Sequence, residues 1–291
     1  MFTGCNALLP NEIRPVEALP ISPRNPRGAN VGYDNLALPN ASRKTMGFVF
    51  KNVGNGNEKL MLTEIKVIGY RDTTYWKGRG AAPKIYLYKM NDAGGTEVTY
   101  TWSDTFDPFI TQMWEGGYWK ILGGATITEA NDVEIPTAEG FYVECEALHE
   151  APVTLQCNGE VLVGSYAKPF PNGSRKTLVN PMPVATTLTK LDVQGYRDST
   201  YWKGRGAAPK IYLYKMNDAG GTEVTYTWSD TFDPFITQMW EGGYWKILGG
   251  AKITEDNDVE IGPGEGFYVE CEALHEAPVT LTFPACLEAA K

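Results

Sequence analysis

Only two histidines occur in the 291 residues, His149 and His275, and both close the same phrase, Glu-Cys-Glu-Ala-Leu-His. A catalytic triad needs a histidine within reach of a nucleophile and an acid, and no spacing here points to one. Zinc-type spacing, a nucleophile elbow and a phosphate loop are all missing, and Gly78-Arg79-Gly80 lacks the rest of any nucleotide motif. A metal held by Cys145, Glu146 and His149 would need their side chains to converge. Strand alternation instead sends Cys145 inward with Phe141 and Val143, and Glu146 outward, so His149 reads as a turn residue. The acidic stretch Glu129-Ala130-Asn131-Asp132-Val133-Glu134 has oxygen ligands of the kind calcium prefers but no EF-hand spacing. Solvated turn residues are the expected reading, with calcium the one candidate ion. No residue is assigned a catalytic or cofactor-binding role, and the chain reads as a non-enzyme.

Aromatic side chains are the other chemistry available, at 12% of the chain. Tyr75, Trp76, Trp114 and Trp119, with Tyr201, Trp202, Trp240 and Trp245, are the candidates for stacking on a carbohydrate or filling an interface. Packing in a core is the expected alternative for each. Five cysteines form an odd set. If residues 141–146 and 153–157 form a hairpin, the sulfurs of Cys145 and Cys157 stand roughly 13 Å apart, too far to bridge. Cys145 and Cys271 then read as small core residues, while Cys5 and Cys286 offer an intersubunit bridge. Asn40-Ala41-Ser42 and Asn172-Gly173-Ser174 fit the glycosylation pattern, although Asn also suits turns.

These residues recur because the chain is duplicated. Residues 69–155 and 195–281 align at a constant offset of 126 with only six differences: Thr73/Ser199, Thr126/Lys252, Ala130/Asp256, Pro136/Gly262, Thr137/Pro263 and Ala138/Gly264. A weaker match continues upstream at an offset of 132, where residues 39–45 resemble 171–177. Residues 45–67 and 177–193 have diverged. The shared part is expected to present one surface twice, and the divergent part to meet different neighbours.

Within one copy the period is that of strands. Val98, Tyr100 and Trp102 alternate with Glu97, Thr99 and Thr101, and residues 84–90 form a partner strand across a turn at 91–95. Residues 110–115 and 118–122 are predicted as a further hairpin around Gly116-Gly117, followed by strands at 132–135, 141–146 and 153–157. Strands near 48–53 and 59–69 bring the first copy to about eight or nine. No useful length of helix is predicted. The fold class is therefore all-β: two tandem, near-identical domains of β-sandwich or jelly-roll type, over 31–160 and 161–291. Residues 1–30, punctuated by Pro10, Pro15, Pro20, Pro23 and Pro26, read as an extended arm reaching another subunit.

A formal charge of −9 without a basic cluster argues against nucleic acid as a partner. No run approaches the roughly 20 apolar residues of a membrane-spanning helix. No signal peptide is visible at Met1-Phe2-Thr3-Gly4-Cys5, although Thr3-Gly4-Cys5 resembles the end of a lipobox. Val133-Glu134-Ile135-Pro136 leading to Glu139-Gly140-Phe141-Tyr142-Val143, and more closely Gly262-Pro263-Gly264-Glu265-Gly266-Phe267-Tyr268-Val269, resembles a motif of repeat-bearing β-sandwich surface proteins of bacteria. Pro136-Thr137-Ala138 departs from its glycine-rich form. The resemblance implies an extracellular or cell-surface module without catalysis, and a virion is the other setting considered. The expected function is a structural subunit that assembles with copies of itself; the alternative is a carbohydrate-binding tandem module.

Overall fold

The computed structural model describes residues 31–38, 41, 43–51, 60–91, 93, 95–146, 153–162, 164–217, 221–272 and 278–285. Cys5, Cys286, both histidines and the arm over 1–30 lie outside them. Strand occupies 49% and helix 11%, so the chain is all-β, its small antiparallel sheets set in a propeller-like ring of four.

The first copy contributes β1 (Val31–Leu38), β2 (Arg43–Gly47), β3 (Phe50–Lys51), β4 (Leu60–Met61) and β5 (Lys66–Ile68). Then come α1 (Thr74–Arg79), β6 (Ile85–Met90), β7 (Thr96–Ser103), β8 (Tyr118–Ile121), β9 (Glu134–Ile135), β10 (Gly140–Cys145) and β11 (Val153–Val161). The second copy repeats the plan. It has β12 (Tyr166–Phe170), β13 (Arg175–Val179), β14 (Thr186–Thr187), β15 (Asp192–Gln194), α2 (Thr200–Arg205) and β16 (Ile211–Met216). It ends with β17 (Thr222–Ser229), β18 (Tyr244–Ile247), β19 (Glu260–Ile261), β20 (Gly266–Cys271) and β21 (Val279–Phe283).

Strand order is β2-β10-β6-β7-β8 in one sheet and β13-β20-β16-β17-β18 in its counterpart. A second sheet in each copy is built on β11, with β1, β3 and β5, or on β21, with β12 and β15. The predicted β6–β7 hairpin forms, with a bulge between Lys89 and Met90. The hairpin expected between 141–146 and 153–157 does not. β10 pairs with β2 and β6 while β11 pairs with β1, β3 and β5, so the two strands lie in different sheets. Cys145 and Cys271 are nonetheless free and buried, and Cys157 is buried. Burial pushes the thiols of Cys145 and Cys271 up to about 12.

Residues 110–115 are not a strand but part of a turn, because Asp107-Pro108 starts one there. The two six-residue helices were not expected. Thr73 caps the first, accepting from the Trp76 N–H at 3.3 Å, and Gly80 closes it at φ +66°. Each helix spans too few residues to show a period of 3.6.

Two hydrophobic clusters form. One unites Leu36, Val153 and Leu155, from the sheet built on β11, with the β6 and β10 residues Ile85, Leu87, Phe141 and Val143. The other holds their second-copy counterparts Ile211, Leu213, Phe267, Val269, Val279 and Leu281. Between the copies, the Gly47 N–H donates to Gly264 O at 2.9 Å and the Val179 N–H to Ala138 O at 3.0 Å. Gly47 and Val179 are equivalent positions, as are Ala138 and Gly264, so the contact is reciprocal, in the manner of a two-fold interface.

Candidate functional site

Most of the predicted tryptophans serve the core. Trp76, Trp119, Trp202 and Trp245 are at most 2% exposed, out of reach of any ligand. Trp119 Nε1 donates to Ile65 O and Trp245 Nε1 to Leu191 O, tying each strand to the turn beside it. Trp114 and Trp240 are half-buried, edge-on to Tyr70 and Tyr196, and donate to Arg71 O and Arg197 O. Tyr75 and Tyr201 lie beneath Arg79 and Arg205, and their hydroxyls accept from those guanidiniums. Four of the eight aromatics are thus core residues, and the other four are half-buried against neighbouring side chains.

What the framework holds is a loop. Buried Asp104 accepts from the Tyr70 hydroxyl at 2.7 Å, from Arg71 at 3.1 Å and from the Gly116 N–H at 3.1 Å. Trp102 Nε1 donates to the same Tyr70 oxygen. Burial and this carboxylate push the Tyr70 hydroxyl up to about 12. Residues 105–116 rise from this base and return, with Glu115 N–H donating to Thr105 O and Asp107 N–H to Met113 O. Asp107 organises the tip. Its carboxylate accepts the N–H groups of Phe109, Ile110 and Thr111 at 2.9–3.1 Å, which hold it down at about 2. The second copy repeats this with Asp233, also at about 2.

The tip carries what a soluble surface ordinarily hides. Phe109 is 89% exposed, Ile110 88% and Met113 66%, with Phe235, Ile236 and Met239 nearly the same. Scattered apolar residues on a surface are ordinary; three on one tip held by Asp107, displayed twice, make these loops the candidate site. Sequence reasoning placed Ile110 in a strand and so missed the site; the Asp-Pro pair ahead of it was the available signal.

A second feature spans the two copies. A cleft of about 550 Å³ is lined by Thr45, Tyr88, Met90, Thr96, Tyr142 and Glu144, and by their equivalents Thr177, Tyr214, Met216, Thr222, Tyr268 and Glu270. Tyr88 and Tyr142 lie 5.9 Å apart, and Tyr214 and Tyr268 6.0 Å apart. Glu144 joins Arg43 at 2.8 Å and accepts from the Tyr88 hydroxyl; Glu270 does the same with Arg175 and Tyr214.

The acidic stretch considered for calcium forms a 3-10 turn over Glu129–Asn131. Its Asp132 carboxylate accepts from the Thr63 and Val133 N–H groups and binds the Thr63 hydroxyl. Among the described residues, no three His, Cys, Asp or Glu side chains are placed to hold a metal, and no helix is long and apolar enough to cross a membrane. The class defined so far is an all-β protein with duplicated loops that display apolar side chains. No family model matches the chain, and neither a curated protein nor a solved structure is similar to it.

Proposed function

We propose that this chain is a non-enzymatic structural subunit that assembles with copies of itself, its two loop tips forming the main contacts. The observation that carries this reading is the near-complete exposure of Phe109, Ile110, Phe235 and Ile236 on loops already fixed by Asp107 and Asp233. Burying such a side chain contributes roughly 1.5–3 kcal/mol. A loop held in place before contact loses little further freedom on binding, so more of that gain appears as affinity. Two identical tips on one chain let each subunit engage two neighbours, which is what a filament or layer requires. The sandwich reading of each copy is supported by inward residues of its two sheets sharing one core. An extracellular or cell-surface setting remains the proposal drawn from the motif at 262–269.

Carbohydrate binding through the predicted aromatics is the weaker reading, because four indoles are buried and the other rings are engaged by their neighbours. Phe109, Ile110, Phe235 and Ile236 replaced together by serine should leave the fold intact. Light scattering and negative-stain imaging should then show association moving at least roughly tenfold higher in concentration. A native chain that stays single at every concentration, or a variant that assembles like the native one, would overturn the reading.

A further inference from the structure

The cleft between the copies has an aromatic lining that no role above explains. It lies on the face of β6 and β10 turned away from the core: Tyr88, Tyr142 and Glu144 alternate with buried Leu87, Phe141, Val143 and Cys145. Its charged lining groups among the described residues, Glu144 and Glu270, are each already paired with an arginine, Arg43 and Arg175. Thr45, 6% exposed, also lines it, and its hydroxyl has no hydrogen-bond partner. Its equivalent Thr177 is satisfied by Gly140 O at 2.8 Å. An aromatic groove suits a proline-rich segment, whose rings stack on aromatic faces. A polyproline II helix has no internal hydrogen bonds, and aromatic-lined grooves are its usual recognition surface.

The chain itself carries such a segment. Pro20, Pro23 and Pro26 follow one another at intervals of three, in Pro20-Ile21-Ser22-Pro23-Arg24-Asn25-Pro26-Arg27. Polyproline II has three residues per turn, so all three rings fall on one face over about 19 Å. Arg24 and Arg27 keep the same interval on another face, and the eight residues include no acid. We infer that residues 20–27 of one chain dock as a polyproline II helix in the tyrosine cleft of a second copy. The proline rings stack on Tyr88, Tyr142, Tyr214 and Tyr268.

The second copy is the source because of where the segment ends. Arg27 is four residues before Val31, a reach of about 13 Å. Val31 starts β1, which pairs with β11 in the sheet across the core from the cleft, and β1 itself extends about 24 Å. Within its own chain the segment would have to round the edge of the domain; a neighbour's cleft imposes no such path. This inference deepens the self-assembly reading and rests on it for the identity of the partner.

The test uses full-length chains that all carry the four loop serines, so that loop contacts and arm docking are read separately. A labelled peptide covering residues 19–28 is titrated into a chain whose Pro20, Pro23 and Pro26 are alanine. Saturable one-to-one binding is expected, retained by Tyr142→Phe with Tyr268→Phe and weakened at least tenfold by Tyr142→Ser with Tyr268→Ser. A peptide with alanine at the three prolines should lose binding to the unaltered cleft, a comparison that stands even if the serine variant misfolds. Mixing the serine-cleft chain, which keeps its arm, with the proline-to-alanine chain should give a complex that neither forms alone. Absence of peptide binding, binding indifferent to the prolines, or peptide binding without a mixed complex would each overturn the inference.

Discussion

Asp107 and Asp233 show how one side chain can turn an apolar tripeptide into a stiff protrusion. Each carboxylate is held down at about 2 by three backbone N–H groups, below the ordinary value of about 4. A depressed carboxyl stabilises the folded loop above the unfolded value and loses that contribution as pH falls toward the folded one. The amide resonances of Phe109, Ile110 and Thr111 should therefore shift together between about pH 4 and pH 2 while core resonances stay put. Shifts centred at the ordinary carboxylate value would contradict the structure. Tyr70 and Tyr196 give the opposite sign. Their hydroxyls are raised to about 12, so folding loses stability as pH climbs from about 10 toward 12. An ultraviolet absorbance titration should show a late class of tyrosines ionising as the chain unfolds. Tyr70→Phe removes one donor from a buried carboxylate that keeps Arg71 and Gly116, and should cost about 2 kcal/mol in denaturant unfolding. A cost below about 0.5 kcal/mol would mean the hydroxyl is dispensable.

The strands around the seam between the copies are where close backbone approach demands glycine. A Cβ on Gly140 would sit 2.1 Å from Met46 O, and one on Gly47 would sit 2.7 Å from a Val179 methyl. Gly140→Ala should lower stability by about 1–3 kcal/mol through forced backbone movement, measured by chemical denaturation. The repeat differences acquire a reason here. Positions 136–138 and 262–264 hold three of the six, and Ala138 and Gly264 accept the reciprocal bonds across the seam. Ala138 also enters the second copy's core cluster, and Tyr166 donates to Thr137 O. Val179 stands opposite its own equivalent, Gly47, across this seam. By contrast, the strand expected over 110–115 was misread because Phe109 and Ile110 look like core residues and point into solvent.

As one molecule, the chain displays two tips and one cleft to which both copies contribute equally. Alternation along 84–90, 97–102 and 141–146, and the 126-residue repeat, are properties of neighbouring residues and so could be read from the sequence. They determined an all-β chain with two matching halves, the buried cysteines and the hairpin of β6 and β7. Which sheet a strand enters could not be read that way. β10 and β11 are adjacent in sequence yet belong to different sheets, since pairing is decided by distant partners such as β1 and β2. The same holds for aromatic exposure. Trp76 and Phe109 are both large and apolar, and only the packing of helix, strand and Asp107-anchored turn puts one at 0% and the other at 89% exposure. The tyrosine cleft forms where the two copies meet along β2 and β13, whose equivalent residues stand 132 positions apart.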